Sequence, residues 1–282
     1  MRGKKSIRMA IAYDFDGTLA PGNMQEHDFI PDLNIKPAEF WKEAKKHARE
    51  HDMDEILAYM ELMLHEVNHA STNIKIFKRN FKKYGKELKL FKGLKNWFNR
   101  INEYGKTRGV KVEHYIISSG LREMIAGTEI KKYIKKIFAS GFRYDQHNVA
   151  KKPALAVNYT NKTQYLFRIN KGILNSWDNS EINKYTPDSK RPIPFSNIVY
   201  IGDGETDIPA MKLVKYKGGY SIAVYNPDKR GAKAKIEKLV NPDRCHCVLP
   251  ADYTKSSKLD KSIKSIIEQI ASRDKLDKYR IK

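Results

Sequence analysis

Two short acidic clusters, each following directly on an apolar run, constrain this chain more than any other feature. Met9-Ala10-Ile11-Ala12-Tyr13 leads into Asp14-Phe15-Asp16-Gly17-Thr18-Leu19, and Ile198-Val199-Tyr200-Ile201 leads into Gly202-Asp203-Gly204-Glu205-Thr206-Asp207. Both runs have the length and composition of buried strands and are bounded by turn residues. The clusters therefore belong on turns just past strand ends, where parallel α/β sheets build their sites. Carboxylates gathered from two such turns point to metal-dependent phosphoryl chemistry.

The length of 282 residues at 40% hydrophobic content allows a full core and a smaller second domain. No apolar run is long enough to span a bilayer, and Met1-Arg2-Gly3-Lys4-Lys5-Ser6-Ile7-Arg8 leads straight into a strand without a secretory h-region. We expect a soluble, cytoplasmic protein with no membrane partner. Cys245 and Cys247 flank His246; neighbours so close on a strand point to opposite faces and do not bridge easily. With no second cluster to complete four zinc ligands, core cysteines are the better reading. The formal net charge is +21, from 54 Lys and Arg against 33 acids, but only 14 of the 54 are Arg and the lysines are scattered. A solvated lysine-rich surface is favoured over a dedicated nucleic-acid or polyanion site.

Between the first cluster and the next strand the periodicity is helical. Apolar residues recur three and four apart over Pro37 to His51 and Met53 to Ala70, and a third helix is expected over Ile74 to Tyr84. We read residues 23–88 as an all-helical insert and residues 1–22 and 89–282 as an α/β core with a Rossmann-like parallel sheet. In that core a helix, Leu94 to Tyr104, is ended by Gly105, and a strand runs from Val112 to Ile117 into Ser118-Ser119-Gly120. A helix from Arg122 to Ile130 follows, then a hairpin of Lys136 to Tyr144 with Ala154 to Asn158. A helix from Thr163 to Ile173 precedes a polar, proline-containing excursion, Asn175 to Pro194. After the second cluster come a short helix, strands at Tyr220 to Val224 and Cys247 to Leu249, and a helix over Lys258 to Ala271.

A carboxylate that attacks phosphorus needs the charges of both partners offset, and a hard, oxygen-liganded cation such as Mg²⁺ does this. Asp14 is the better placed nucleophile, and Asp16, two residues on, can act as acid and then base. Asp14, Asp16, Asp203 and Asp207 are the candidate metal ligands. A calcium-loop reading of the first cluster fails on spacing: counting from Asp14, the sixth residue is Leu19 where glycine is needed and the twelfth is Gln25 where glutamate is needed.

At these residues the chain resembles the haloacid dehalogenase superfamily. Asp14-Phe15-Asp16-Gly17-Thr18-Leu19 looks like its first motif, Tyr115-Ile116-Ile117-Ser118 its second, a lysine opening a helix its third, and Gly202-Asp203 with Asp207 its fourth. The resemblance covers all but the helical insert. It implies that Ser118 and the lysine hold the transferring phosphoryl group, with backbone N–H groups of Ser119 and Gly120 adding donors. Lys162, opening Lys162-Thr163-Gln164-Tyr165, fits the phosphoserine phosphatase-like branch; Lys171 and the Lys151-Lys152 pair compete. Members that act on carbon–halogen or carbon–phosphorus bonds lack the second acid, so Asp16 implies phosphate ester hydrolysis. The insert resembles a type C1 cap, which implies a small phosphorylated metabolite as substrate. The glutamate that the phosphoserine branch places nine residues after the nucleophile is Asn23 here, so serine specificity does not transfer. Glu26, His27, Arg49 and His65 are candidate cap contacts. Against the enzyme stands a basic polyanion binder, or an enzyme acting on nucleic-acid ends, built on the same core.

Overall fold

The computed structural model describes residues 7–69, 76–239 and 243–277. Met1 to Ser6, Ala70 at the end of the second expected helix and Ile74-Lys75 at the start of the third lie outside the described residues.

In chain order the elements are β1 (Ile7–Tyr13), α1 (Phe29–Asp32), α2 (Pro37–Glu50), α3 (Glu55–His69), α4 (Lys78–Glu87), α5 (Leu94–Lys106), β2 (Val110–Leu121), α6 (Arg122–Ile125), β3 (Ile134–Tyr144), β4 (Ala150–Leu155), α7 (Lys162–Lys171), α8 (Asn179–Asn183), β5 (Ile198–Gly202), α9 (Ile208–Tyr216), β6 (Tyr220–Tyr225), α10 (Ala232–Leu239), β7 (Cys247–Pro250) and α11 (Lys258–Asp277). The described strands form one sheet in the order β4-β3-β2-β1-β5-β6-β7. All pairs are parallel except β3 with β4. This is the α/β, Rossmann-like architecture expected.

Strand β1 lies at the point where the order reverses. From it the chain builds outward through β2 and β3, then returns to its other side for β5, β6 and β7. A crevice opens at the carboxyl ends of strands at such a switch point. Tyr13 pairs with Ile201, and the Asp14 N–H donates to the Ile201 carbonyl at 2.8 Å, so the two acidic clusters begin side by side.

Both faces of the sheet are covered, which explains why its central strands read as continuous apolar runs. Met9, Ile11 and Tyr13 of β1 face the core shared with α5, α11 and the helices between β1 and β2. Ala10 and Ala12 point the other way, into the core formed with α7, α9 and α10. The small alanines leave room there for Tyr165, Tyr200 and Met211.

Several elements depart from expectation for identifiable reasons. α4 runs through Gly85 to Glu87 and α5 through Gly105 to Lys106, past the ends expected at Tyr84 and Tyr104. Both glycines are there for close contact: a Cβ on Gly85 would stand 1.8 Å from the Met124 carbonyl oxygen, and one on Gly105 2.7 Å from that of Val110. β2 continues to Leu121, with a register shift between Ser118 and Leu121 that bulges Ser119 and Gly120 out of the ladder. The helix expected over Arg122 to Ile130 is one α-turn followed by a 3₁₀ turn at Glu129–Tyr133. β4 lies earlier than the predicted Ala154 to Asn158 because the turn at Asp145 is tight, its carboxylate accepting from the N–H groups of His147 and Val149. α10 was not anticipated.

Candidate active site

Asp14 follows β1 and is buried, 5% exposed. Gly17 then turns the chain at φ +75°, and a Cβ there would lie 2.0 Å from Asp203 Oδ2, so only glycine lets the second cluster approach the first. Oxygens of Asp14, Asp203 and Asp207 lie within 4.8 Å of one another. The Asp16 carboxylate is not in this group. Its Oδ1 accepts from the Met24 N–H at 2.9 Å, and a Cβ on Gly120 would fall 2.8 Å from its Oδ2, which places it beside the bulge after Ser118.

Lys162 opens α7 and is fully buried, with Nζ 3.1 Å from Asp14 Oδ1 and 2.8 Å from Asp207 Oδ1. The competing lysines are elsewhere. Lys171 donates to the Ile182 and Lys184 carbonyls, Lys151 pairs with Asp145 at 3.3 Å, and Lys152 is exposed. Ser118 is buried and its Oγ accepts from the Gly120 N–H at 3.0 Å. The Ser119 hydroxyl is buried without a protein partner, and its carbonyl accepts from Tyr59 of α3 at 2.7 Å.

Asp207 is saturated. Its Oδ1 accepts from Lys162 and from the Tyr200 hydroxyl at 2.6 Å, and its Oδ2 accepts from the N–H groups of Asp203 and Gly204. Two donors on each oxygen use its acceptor capacity, so it holds Lys162 in place and offers no free oxygen. Asp14 Oδ1 lies near Lys162 yet accepts no well-directed hydrogen bond, and the Asp203 carboxylate has no partner among the described residues. Burial pushes the Asp14 carboxyl up to about 6 despite the neighbouring Lys162. Burial, then the Asp14 and Asp207 charges, pushes Asp203 well above the usual carboxylate range. Burial, then Asp14, does the same to Asp16.

Three carboxylates around one ammonium leave an excess of negative charge that a divalent cation would offset. The donors are all hard oxygens, which suits Mg²⁺, and Asp14 and Asp203 are the residues with oxygens to give it.

The crevice has a volume of about 840 Å³ and is bordered by both acidic clusters, by Gln25, Trp41, Lys45 and Tyr59 from the chain between β1 and β2, and by Lys229, Arg230 and Lys235 after β6. None of the four expected cap contacts borders it. The Glu26 carboxylate is taken by Asn23 and the Trp41 indole N–H at 2.6 and 2.7 Å, His27 bonds the Pro21 carbonyl, and Arg49 and His65 are exposed. Sequence reasoning also missed Tyr200, whose one signal was a hydroxyl-bearing ring in an otherwise aliphatic strand.

A sequence model of haloacid dehalogenase-like hydrolases matches residues 11–212, a span that holds every acid, Ser118 and Lys162. The chain belongs to this family. A relative from Borreliella burgdorferi, described as an uncharacterized protein, is 29% identical over 277 residues, covering 89% of this hydrolase and 93% of the relative. Among solved structures it is similar to a phospho-aspartyl intermediate analogue of phosphoserine phosphatase, at TM-score 0.54 and 16% identity over 92% of this chain and 99% of that one. It is also similar to a HAD family hydrolase from Salmonella enterica serovar Typhi, at TM-score 0.53 and 19% identity over 80% of this chain. The hydrolase spans 65% of the Salmonella protein's length. At these identities the likeness to both structures is one of fold.

Proposed function

We propose that this hydrolase is a Mg²⁺-dependent phosphatase that cleaves a small-molecule phosphomonoester through an aspartyl phosphate on Asp14. The observation that carries this reading is the imbalance at the switch point: Asp14 Oδ1 is buried without a hydrogen-bond partner, oxygens of Asp14, Asp203 and Asp207 lie within 4.8 Å of one another, and Lys162 is the buried cation beside them. Bound between Asp14 and Asp203, Mg²⁺ would neutralise charge on the phosphate oxygens as the nucleophile approaches.

The chain's own residues supply the rest. Asp14 attacks phosphorus, and the Ser118 hydroxyl, Lys162 and the bulged Ser119 N–H hold the transferring oxygens, while the Gly120 N–H, which donates to Ser118 Oγ, orients that hydroxyl. Asp16, with its pKa raised by burial and by Asp14, carries the proton that the leaving alkoxide takes, and as a carboxylate it then withdraws one from the hydrolytic water. The helices in residues 23–88 act as a lid. In support, Tyr59 of α3 reaches the Ser119 carbonyl, and Asp54, just before α3, accepts from Asn158 at 2.7 Å, so this end of the helical segment is joined to the core beside the crevice.

Replacing Asp14 with Asn removes the nucleophile while keeping its size. Hydrolysis of p-nitrophenyl phosphate with Mg²⁺ should fall by at least about 10³-fold in Asp14→Asn, the scale seen when a nucleophile is deleted, with circular dichroism unchanged. Retained turnover would overturn the mechanism.

A further inference from the structure

The crevice is larger than one phosphate needs. At about 30 Å³ per heavy atom, as in liquid water, a phosphate group fills on the order of 150 Å³, a small part of the 840 Å³ available. Its sides also differ in charge. Asp14, Asp16 and Asp203 sit with the buried Lys162, and the exposed Glu55 and Glu205 border the crevice from α3 and the second cluster, whereas the loop after β6 and α10 bring the exposed Lys229, Arg230 and Lys235 to it.

Those three cations are exposed, and none has an acidic partner among the described residues. Ion pairing is available on the same helix, since Lys233 meets Glu237 at 3.5 Å, yet Lys235 lines the crevice unpaired. Three cations lining one crevice make that side of it positive, and an anion set among them is favoured. α2 borders the same crevice with Lys45, also unpaired, and Trp41.

Resting on the phosphatase reading above, we propose that the substrate carries a second phosphoryl group, bound by Lys229, Arg230 and Lys235 while the scissile ester sits at Asp14. A carboxylate offsets a single cation. A phosphoryl dianion offsets two and presents three oxygens, which matches one guanidinium fork and two ammonium groups. The scissile phosphate does not fill this role, because Lys162, Ser118 and the metal ligands already surround its place.

The test is a set of paired kcat/KM measurements with Mg²⁺. Alkanediol bisphosphates of graded length are each compared with the alkyl monophosphate of the same chain, and sugar and nucleoside bisphosphates with their monophosphates form two further arms that separate possible sources. At low ionic strength at least one bisphosphate should be favoured by about tenfold or more, as charge-assisted contacts allow, beyond the statistical advantage of carrying two esters. The preference should shrink with added KCl. It should approach unity in the triple variant Lys229→Gln, Arg230→Gln, Lys235→Gln; a ratio taken within one variant is unaffected by the fraction folded. Ratios near unity in the wild type, or a ratio the triple variant leaves untouched, would overturn the second phosphoryl site while the phosphatase reading stands. No hydrolysis of any phosphomonoester, including p-nitrophenyl phosphate, would overturn both.

Discussion

No donor reaches the Asp203 carboxylate among the described residues, and the Asp14 and Asp207 charges press on it. Asn at this position keeps the shape and removes the repulsion. Metal-free Asp203→Asn should therefore melt at a higher temperature than the metal-free wild type, and it should lose most of the rise in Tm that MgCl₂ produces. A full Mg²⁺-induced shift in the variant would take Asp203 out of the cation site. The sign of the pH effect follows from Asp14. Its pKa rises from 3.8 to about 6 on folding, so across that window the native chain keeps a proton the unfolded chain has released. Stability of the metal-free protein from this group is present at low pH and falls as pH rises toward and past 6. A cation competes with that proton, so stabilisation by Mg²⁺ should grow between mildly acidic and neutral pH.

At the scale of elements, α4 is joined to the core by two reciprocal close approaches. Gly85 lies on the Met124 carbonyl, and Gly127 lies on that of Lys82, where an added Cβ would come within 2.0 Å. Two effects oppose each other in Gly85→Ala. Helix propensity favours alanine by about 1 kcal/mol, but a Cβ 1.8 Å from backbone oxygen forces α4 and α6 apart. Overpacking of this kind costs about 1–3 kcal/mol or more, and here the neighbour is backbone that cannot rotate away. We expect Gly85→Ala to lower the urea midpoint, with a net loss of up to about 2 kcal/mol. A midpoint equal to or above wild type would show that the α4–α6 contact yields freely.

Across the whole molecule, the buried layer on the α5 side of the sheet holds a polar chain. The Trp97 indole donates to the Tyr13 hydroxyl at 2.9 Å, Tyr13 meets His114 Nδ1 at 3.1 Å, and His114 Nε2 meets Asn102 Oδ1 at 3.1 Å. Burial lowers the His114 pKa from 6.5 to about 3. The unfolded chain binds this proton below about 6.5 and the native chain does not, so stability is lost as pH falls from about 6.5 toward 3. This slope opposes that of Asp14, and with Mg²⁺ pairing the carboxylates it should dominate. His114→Gln, which cannot be protonated, should flatten the acid limb of urea stability between pH 6.5 and 4 measured in Mg²⁺. An unchanged limb would place the acid sensitivity elsewhere, for example in self-repulsion from the +21 charge.

What could be read from the sequence was what short-range chemistry encodes. Apolar runs of strand length, the turn residues after them, and the Asp-x-Asp-Gly-Thr-Leu string fixed the parallel sheet and the family, because neighbours in sequence are enough to specify a buried strand and the turn after it. The fold decided what depends on residues distant in sequence. It brought Lys162 rather than Lys171 to Asp14, used Asp207 and Tyr200 to hold that lysine, and turned Glu26 to Trp41 instead of the crevice. Gly105 reads as a helix end because a stop signal and a close packing contact use the same residue, and only the Val110 carbonyl distinguishes them. The cations lining the crevice were lost among 54 Lys and Arg. Charge acquires meaning from what it faces, and that is set when β6 and α10 come to border the crevice.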